Sequence, residues 1–454
     1  MLNRAVTLAS TLAVLLPICA QAQPAPAAPA PGSAVRVIKA GRLIDPETGT
    51  AAANQVIVIE GDRIKAVGAN LPIPQGAEVI DLSQMSVLPG LVDAHTHMAI
   101  TYKEIPENNV YYYTYVQDST PLRAIQAASN GMQLLASGFT VIRDVGNNAL
   151  YADTALRAAI EQGWLPGPTV IPSGPMIGST GGQYWPTPEM YKHHDIMYPE
   201  YIDANSPEEI TRAVRENLLF GAKTIKICVD CKPWGYSVED MQLVVREAAK
   251  GGAKVDGHCQ TPEGVQRAID AGIYIISHGR AVTSEHHAQM AKKGMFLAST
   301  DTPFTRYRGT EQAFQQAVAQ LRSAWEKGVL VTFSTDMDYW NERMKRDDGS
   351  WMTRGDLTID FLRTWKAAGI PNADILKAMT INGYKAADLI AERGPIKPGL
   401  YADLIAVPGN PLDDIDSLRN VQFVMKNGVV YKRNGRIEPE KFLNPGPIKG
   451  WNRR

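Results

Sequence analysis

The sequence predicts an α/β fold: a (β/α)8 barrel joined to a small β-sandwich domain built from both chain ends. Three observations predict it. Eight short apolar runs alternate with helix-like stretches through the middle of the chain. The residues able to bind metal or move protons gather at the C-terminal ends of those runs. Strand-like segments with turn chemistry occur before the first run and again after the last.

Composition bounds the answer. The chain has 454 residues, 44% hydrophobic and 20% charged, which is enough for one large barrel and a second unit and excludes disorder as the main state. Lys and Arg number 46 against 47 Asp and Glu, so charge gives no reason to expect nucleic acid or an anionic membrane as partner. Met1–Arg4 carries one positive side chain, Ala5–Ala20 is almost wholly apolar, and Ala20-Gln21-Ala22 has the small residues of a cleavage site. Residues 1–22 therefore read as a signal peptide, which makes the protein periplasmic or secreted. No other segment approaches the roughly 20 apolar residues of a membrane span. Residues 23–33 are a Pro/Ala linker expected to be disordered. Cleavage would leave Cys228, Cys231 and Cys259, an odd set that cannot build a disulfide framework. Cys228-Val-Asp-Cys231 has no second C-x-x-C to complete a zinc ribbon, and we read these residues as unpaired structural cysteines rather than a redox pair.

The elements follow in order. Val35–Ile44 and Gln55–Val67 alternate apolar and polar residues and end in Asp45-Pro46 and Gly61-Asp62. Asp403–Val407 and Val421–Tyr431 repeat the texture, with Asn427-Gly428 as hairpin turn. Residues 34–87 and 395–440 are thus one β unit, 88–394 the barrel, and 441–454 a tail. The eight runs are Met85–His97, Thr140–Gly146, Thr169–Gly174, Thr224–Val229, Lys254–Cys259, Tyr274–Gly279, Met295–Thr300 and Leu330–Asp336. Amphipathic helix candidates between them include Leu122–Ser137, Pro207–Phe220, Val238–Lys250 and Thr261–Ala271.

His95-Thr96-His97 places two imidazoles on one face of a strand, because side chains repeat every two residues there. His258, His278 and Asp336 end later runs. Four histidines and a carboxylate at matching strand ends point to a metal centre, and these donors suit zinc best, with manganese, nickel or iron as weaker candidates. Lys226 sits inside an apolar run, where an ammonium needs an ion pair, a depressed pKa or conversion to a carbamate by CO2. Asp144, which ends the second run, reads as structural.

Leu-Pro-Gly-Leu-Val-Asp-Ala-His-Thr-His (88–97), Gly-Ala-Lys-Thr-Ile-Lys-Ile (221–227), Gly-His (257–258), Ser-His-Gly (277–279), Ser-Thr-Asp (334–336) and Gly-Pro-Ile-Lys-Pro-Gly-Leu-Tyr-Ala-Asp-Leu (394–404) together resemble the amidohydrolase superfamily, in its prolidase-like and imidazolonepropionase-like branch. The resemblance runs from about Val35 to about Val430. It implies that His95 and His97 bind one divalent ion with Asp336, that His258 and His278 bind a second, and that a carboxylated Lys226 bridges both. It further implies a hydroxide between the metals as nucleophile, Asp336 as proton acceptor, and Tyr236, in Tyr236-Ser237, near the oxyanion. The implied reaction is hydrolysis of a C–N bond in a dipeptide or N-acyl amino acid, Xaa-Pro dipeptides and ochratoxin amides among them, by a homo-oligomer. Two departures stand out. The segment after Lys226, Cys-Val-Asp-Cys-Lys-Pro-Trp-Gly-Tyr-Ser, replaces a longer Gly-rich loop, and Gln183 stands where a histidine often follows the two glycines; His193 or His194 could take that histidine's place. Arg306, Arg308 and Lys232 are candidates for a substrate carboxylate. Tyr111–Tyr113, Tyr184, Trp185, Trp234, Tyr339 and Trp340 are candidates for an apolar wall. The same metals could also serve a cyclic-amide, lactone or organophosphate hydrolase, and a non-catalytic metal-binding barrel is the reading from another class.

Overall fold

The computed structural model describes residues 35–103, 118–146, 148–193, 195, 198–300, 310–337, 339–340, 346 and 348–438. The expected signal peptide and linker, the tail, Tyr111–Tyr113, His194, Arg306 and Arg308 lie outside the described residues.

The chain opens with β1 (Val35–Asp45), β2 (Thr50–Glu60), β3 (Arg63–Gly68) and β4 (Glu78–Pro89). β1 pairs antiparallel with β2, β2 with β3, and β1 parallel with β4. Period-2 alternation puts Ile38, Ala40, Ile57, Ile59, Ile80 and Leu82 into one core. After Gly90 the chain enters the barrel. A Cβ on Gly90 would fall 2.1 Å from Thr140 Oγ1, so only glycine lets β4 run on into the first barrel strand.

The barrel region contains β5 (Leu91–Thr96), β6 (Tyr102–Lys103), β7 (Phe139–Asp144), β8 (Thr169–Pro172), β9 (Met176–Gly178), β10 (Tyr201–Asp203), β11 (Thr224–Cys228), β12 (Lys254–Cys259), β13 (Ile275–His278), β14 (Phe296–Ser299), β15 (Leu330–Phe333) and β16 (Tyr339–Trp340). β5, β7 and β8 are consecutive parallel neighbours, as are β9, β11, β12, β13, β14 and β15. The third position of the TIM barrel is split between β8 and β9. Pro172 and Pro175 break the ladder there, Gly174 turns with φ of +66°, and the Asp153 carboxylate accepts from the N–H groups of Ser173, which is shared with Asp144 O, and Gly174, each at 2.9 Å. Closure between β15 and β5 runs through backbone and side chain: Asp336 N donates to His95 O (2.9 Å), and Thr335 Oγ1 donates to Asp93 Oδ2 (2.6 Å). Seven of the eight predicted runs fall on barrel positions; the first, Met85–His97, is divided at Gly90, its Met85–Pro89 part belonging to β4 of the other sheet.

Outer helices form where the sequence caps them. Ser206 with Glu209, Ser237 with Asp240, and Thr283 with His286 each form a capping box, and Thr261 caps the helix Pro262–Ala271. Each lays an apolar stripe on the barrel; Ile210, Ala213 and Val214 are one such stripe.

β17 (Leu404–Pro408), β18 (Phe423–Lys426), β19 (Val429–Arg433) and β20 (Arg436–Ile437) return the chain to the first unit, where β17 pairs antiparallel with β4. The result is the expected small β domain from both chain ends, its strands joined in one mixed eight-stranded sheet in the order β20-β19-β18-β17-β4-β1-β2-β3. It curls over its own core so that the β2–β3 turn, the segment before β17 and the β18–β19 turn come together: Ala402 N donates to Asp62 O and Gly428 N to Ala402 O. The buried pair Arg393–Asp403 (2.5 Å) and the Tyr384 hydroxyl, 3.0 Å from Gly90 O, fix this sheet to the barrel. Among the described residues no helix is long and apolar enough to cross a membrane.

Two stability predictions follow from this packing. Gly428 has φ of +71°, and a Cβ there would lie 2.2 Å from Gly61 O. Gly428→Ala should cost about 2 kcal/mol in denaturant unfolding with little change in metal uptake. His287 is buried against Ser323, and burial, with His286 beside it, pushes its imidazole down to about 4. Folded His287 resists a proton that the unfolded chain takes up, so this contribution is present above about pH 6.5 and drains as pH falls toward 4. In His287→Gln the loss of stability over that window should be shallower, as read by denaturation at stepped pH.

Candidate metal centre

His95 and His97 leave β5 on the same face, as period-2 geometry requires, and both are buried. Asp336 follows β15 by three residues, held by its N–H to His95 O, and its carboxylate turns onto the two imidazoles. His97 Nε2 lies 2.8 Å and His95 Nε2 3.4 Å from Asp336 Oδ1. His278, at the end of β13, places Nδ1 3.4 Å from Asp336 Oδ2 and Nε2 2.6 Å from His258 Nδ1. Four strand ends thus deliver five ligand side chains to one volume. Both His278 (φ 72°) and Asp336 (φ 54°) are left-handed, a conformation costly for any side-chain-bearing residue and kept only where the surroundings fix it.

Hydrogen bonds settle which nitrogen faces inward. His97 Nδ1 lies 2.8 Å from the Gly146 carbonyl, which can only accept, so Nδ1 carries the proton and the Nε2 lone pair faces Asp336. His95 Nδ1 meets the Ser277 hydroxyl at 3.0 Å, while its Nε2 is buried with no hydrogen-bond partner. Thr300 Oγ1 lies 2.9 Å from His278 Nδ1. The Gln260 side-chain amide sits 2.7 Å from His258 Nε2.

Electrostatics point the same way. Burial, with His278 and Lys226 nearby, holds His258 well below the usual histidine range; burial and Lys226 do the same to His95, and burial lowers His278 against the pull of Asp336. For Asp336 burial pushes upward, but His278 and His95 outweigh it and hold the carboxyl well below its ordinary value. The group therefore presents unprotonated nitrogens to an ionised carboxylate. Such lone pairs repel one another unless a cation lies among them. His95, His97 and Asp336 bring one ligand atom each within 4.8 Å of one another, and the separations of 2.8 and 3.4 Å suit donors that share an ion bound at about 2.0–2.2 Å. The donors fit a divalent cation of the zinc type.

Lys226 lies beside this group, wholly buried on β11. Of the three ways to keep a lysine there, the structure displays an ion pair: Nζ is 2.9 Å from Asp256 Oδ1. Burial still lowers the lysine, with Asp256 opposing it. Asp256 also accepts from Arg143 at 3.0 Å and from Ser277 Oγ at 2.5 Å. Burial would raise its carboxyl, yet Lys226 and Arg143 hold it low. Sequence reasoning missed Asp256, Arg143 and Ser277. An acid mid-strand in Lys-Val-Asp-Gly-His, one strand from a buried lysine, was the available signal. Arg354 was missed too; it donates to His97 O at 2.9 Å and to Met337 O, tying both ligand segments to the helix Arg354–Ile359.

The remaining expectations divide. Tyr236 is buried and donates its hydroxyl to Ala204 O at 2.8 Å, which in this structure makes it a packing tyrosine. His193 is exposed after a short helix, with no tie to the metal ligands among its described contacts. Lys232 is buried rather than on the surface; its ammonium reaches Tyr184 O at 2.5 Å and lies 4.2 Å from the Trp185 ring centre. Trp185 and Trp234 are exposed, and their rings meet edge-on at 6.0 Å. Asp144 accepts from Met98 N at 3.0 Å, as a structural residue does. The expectation of unpaired cysteines fails for two of the three: Cys228 and Cys231 form a disulfide across a Cα separation of 5.8 Å, because the turn after β11 doubles back, and Cys259 alone is free and buried.

Comparisons with known proteins agree with this arrangement. Residues 86–431 match the Amidohydrolase family. The chain is similar to an ochratoxinase of Aspergillus niger, 26% identical with 88% of this chain and 87% of that one covered. An imidazolonepropionase of Alkaliphilus metalliredigens is 25% identical over 84% of this chain and 91% of its own. Among solved structures, a Xaa-Pro dipeptidase with methionine in its active site superposes with a TM-score of 0.73 at 27% identity, covering 88% of this chain and all of that one. With the matched region spanning strands β5 to β15 and every residue of the metal group, the chain belongs to the amidohydrolase family and is a metal-dependent hydrolase of C–N bonds.

Proposed function

We propose that the protein is a binuclear amidohydrolase that cuts the amide or peptide bond of a dipeptide or N-acyl amino acid and releases the C-terminal amino acid. The convergence of His95, His97, His258, His278 and Asp336 on one volume carries this reading. Residues 1–22, read as a signal peptide, would place the enzyme in the periplasm or outside the cell.

His95, His97 and Asp336 would hold one ion, His258 and His278 the other, with zinc the best match to the donors. When bound, such ions polarise a carbonyl and lower the pKa of water toward neutrality. Everything else falls to the chain. Asp336 is ionised at neutral pH and is the ligand most open to solvent, so it can take a proton from the attacking water and return it to the leaving amine. Gly146 and Ser277 hold His97 and His95 in orientation, so ligand geometry does not relax between steps. If Lys226 is carboxylated it keeps one N–H, and Asp256 is placed to accept it. Trp185 and Trp234 form an exposed edge beside the third and fourth barrel positions that suits an aromatic or apolar substrate group. Lys232 stiffens that edge from beneath instead of reaching outward.

Chelator-treated protein should take up about two zinc ions per chain by mass spectrometry after dialysis, and His95→Ala should lose about one of them. In a panel of dipeptides and N-acyl amino acids scored by amino acid released, the zinc form should turn over substrates with apolar or aromatic groups. Asp336→Asn should lower kcat by roughly 10²–10⁴-fold. Full metal uptake with no amino acid released from the panel would defeat this substrate class and move the test to cyclic amides, lactones and phosphotriesters.

A further inference from the structure

We propose that Cys228, Cys231 and His258 form a second, redox-gated site for a borderline-soft divalent cation, closed while the disulfide is formed and opened by its reduction. Ligand atoms of the three residues lie within 4.8 Å of one another. Cys228 and His258 are register partners on adjacent strands β11 and β12, so their spacing is fixed by the sheet. Cys231 is placed by contacts that do not involve sulfur. Asp230, next to it, accepts from Gln260 N at 2.9 Å, and from Thr261 N at 2.6 Å and Thr261 Oγ1 at 2.8 Å. Those donors follow His258 by two and three residues. Lys232, on the other side, is bound to Tyr184 O. Breaking the S–S bond therefore leaves both sulfurs beside the imidazole, and the site is pre-organised without its crosslink.

The chemistry balances in two steps. A dithiol reductant gives two electrons and two protons: the S–S bond breaks, Cys228 and Cys231 become thiols, and the reductant closes its own disulfide. The half-buried Cys231 and the exposed Gln260 mark the side from which it approaches. A divalent ion then displaces both thiol protons to solvent and takes two sulfurs and one nitrogen, a Cys2His donor set that suits zinc, cobalt or cadmium and leaves one position open. His258 also faces His278, Nδ1 to Nε2 at 2.6 Å, and a neutral imidazole offers a single lone pair, so it cannot ligate both groups at once. Filling the thiol site therefore draws His258 away from His278. The effect on turnover rests on the function proposed above; the site itself does not.

Cobalt(II) is the probe, because a thiolate ligand gives a near-ultraviolet charge-transfer band that imidazole and carboxylate ligands lack. The full chain, loaded with cobalt, should show this band after phosphine reduction and lack it when oxidised. Cys259→Ser should keep it. The Cys228→Ser, Cys231→Ser double variant should lack it under reduction; if that variant does not fold, the oxidised wild type, identical in fold, is the control. Turnover, where found, should fall about tenfold or more on reduction of the wild type and stay level in the folded double variant. A reduced wild type without the band, or a band that survives in the double variant, would overturn the proposal.

Discussion

Five lone-pair donors meet in one largely buried volume, Asp336 the most open of them, and the surrounding barrel is organised around keeping them unprotonated. Burial denies the imidazoles a proton and leaves their lone pairs facing the Asp336 carboxylate. The arrangement is unfavourable without a cation, and the fold resists collapse into simpler pairings by anchoring each ring from behind: Gly146 for His97, Ser277 for His95, Thr300 for His278. Behind these anchors a second layer runs through the barrel interior, Arg143–Asp256–Lys226, with Ser277 linking it to His95. Two cations and one anion in a dry core is a stable set only because every partner is within hydrogen-bond reach.

The same demand explains the backbone. His278 and Asp336 adopt left-handed φ at strand ends, where an ordinary extended continuation would carry their side chains away from the axis. Asp93 helps hold that turn by accepting from both Thr335 N and Thr335 Oγ1, and Arg354 ties the segments of His97 and Asp336 together.

Much of this could be read before any coordinates. The eight barrel positions were visible because buried parallel strands are short, apolar and separated by capped helices. His95, His97, His258, His278 and Asp336 stood out because polar residues at the ends of apolar runs are rare. Asp256 was not visible in that way. Its role exists only through Lys226, thirty positions earlier and one strand away, and pairing between parallel strands has no local signature. The strand order of the end domain was hidden for a related reason: alternation identifies a strand without naming its neighbour. The Cys228–Cys231 bond depended on how sharply the chain turns after β11. Gln183 and Lys232 lie in loops whose path is set by their neighbours, and there the sequence is least informative.

The sheet that joins both chain ends has a consequence for synthesis. β4 pairs on one side with β1, already made, and on the other with β17, some three hundred residues later. Until the last strands emerge, β4 offers a naked apolar edge, a template for any passing extended chain. A ribosome stalled anywhere in the barrel would leave that edge open. The docked C-terminal strands are, in this sense, a quality mark: only a chain translated past β17 can bury β4.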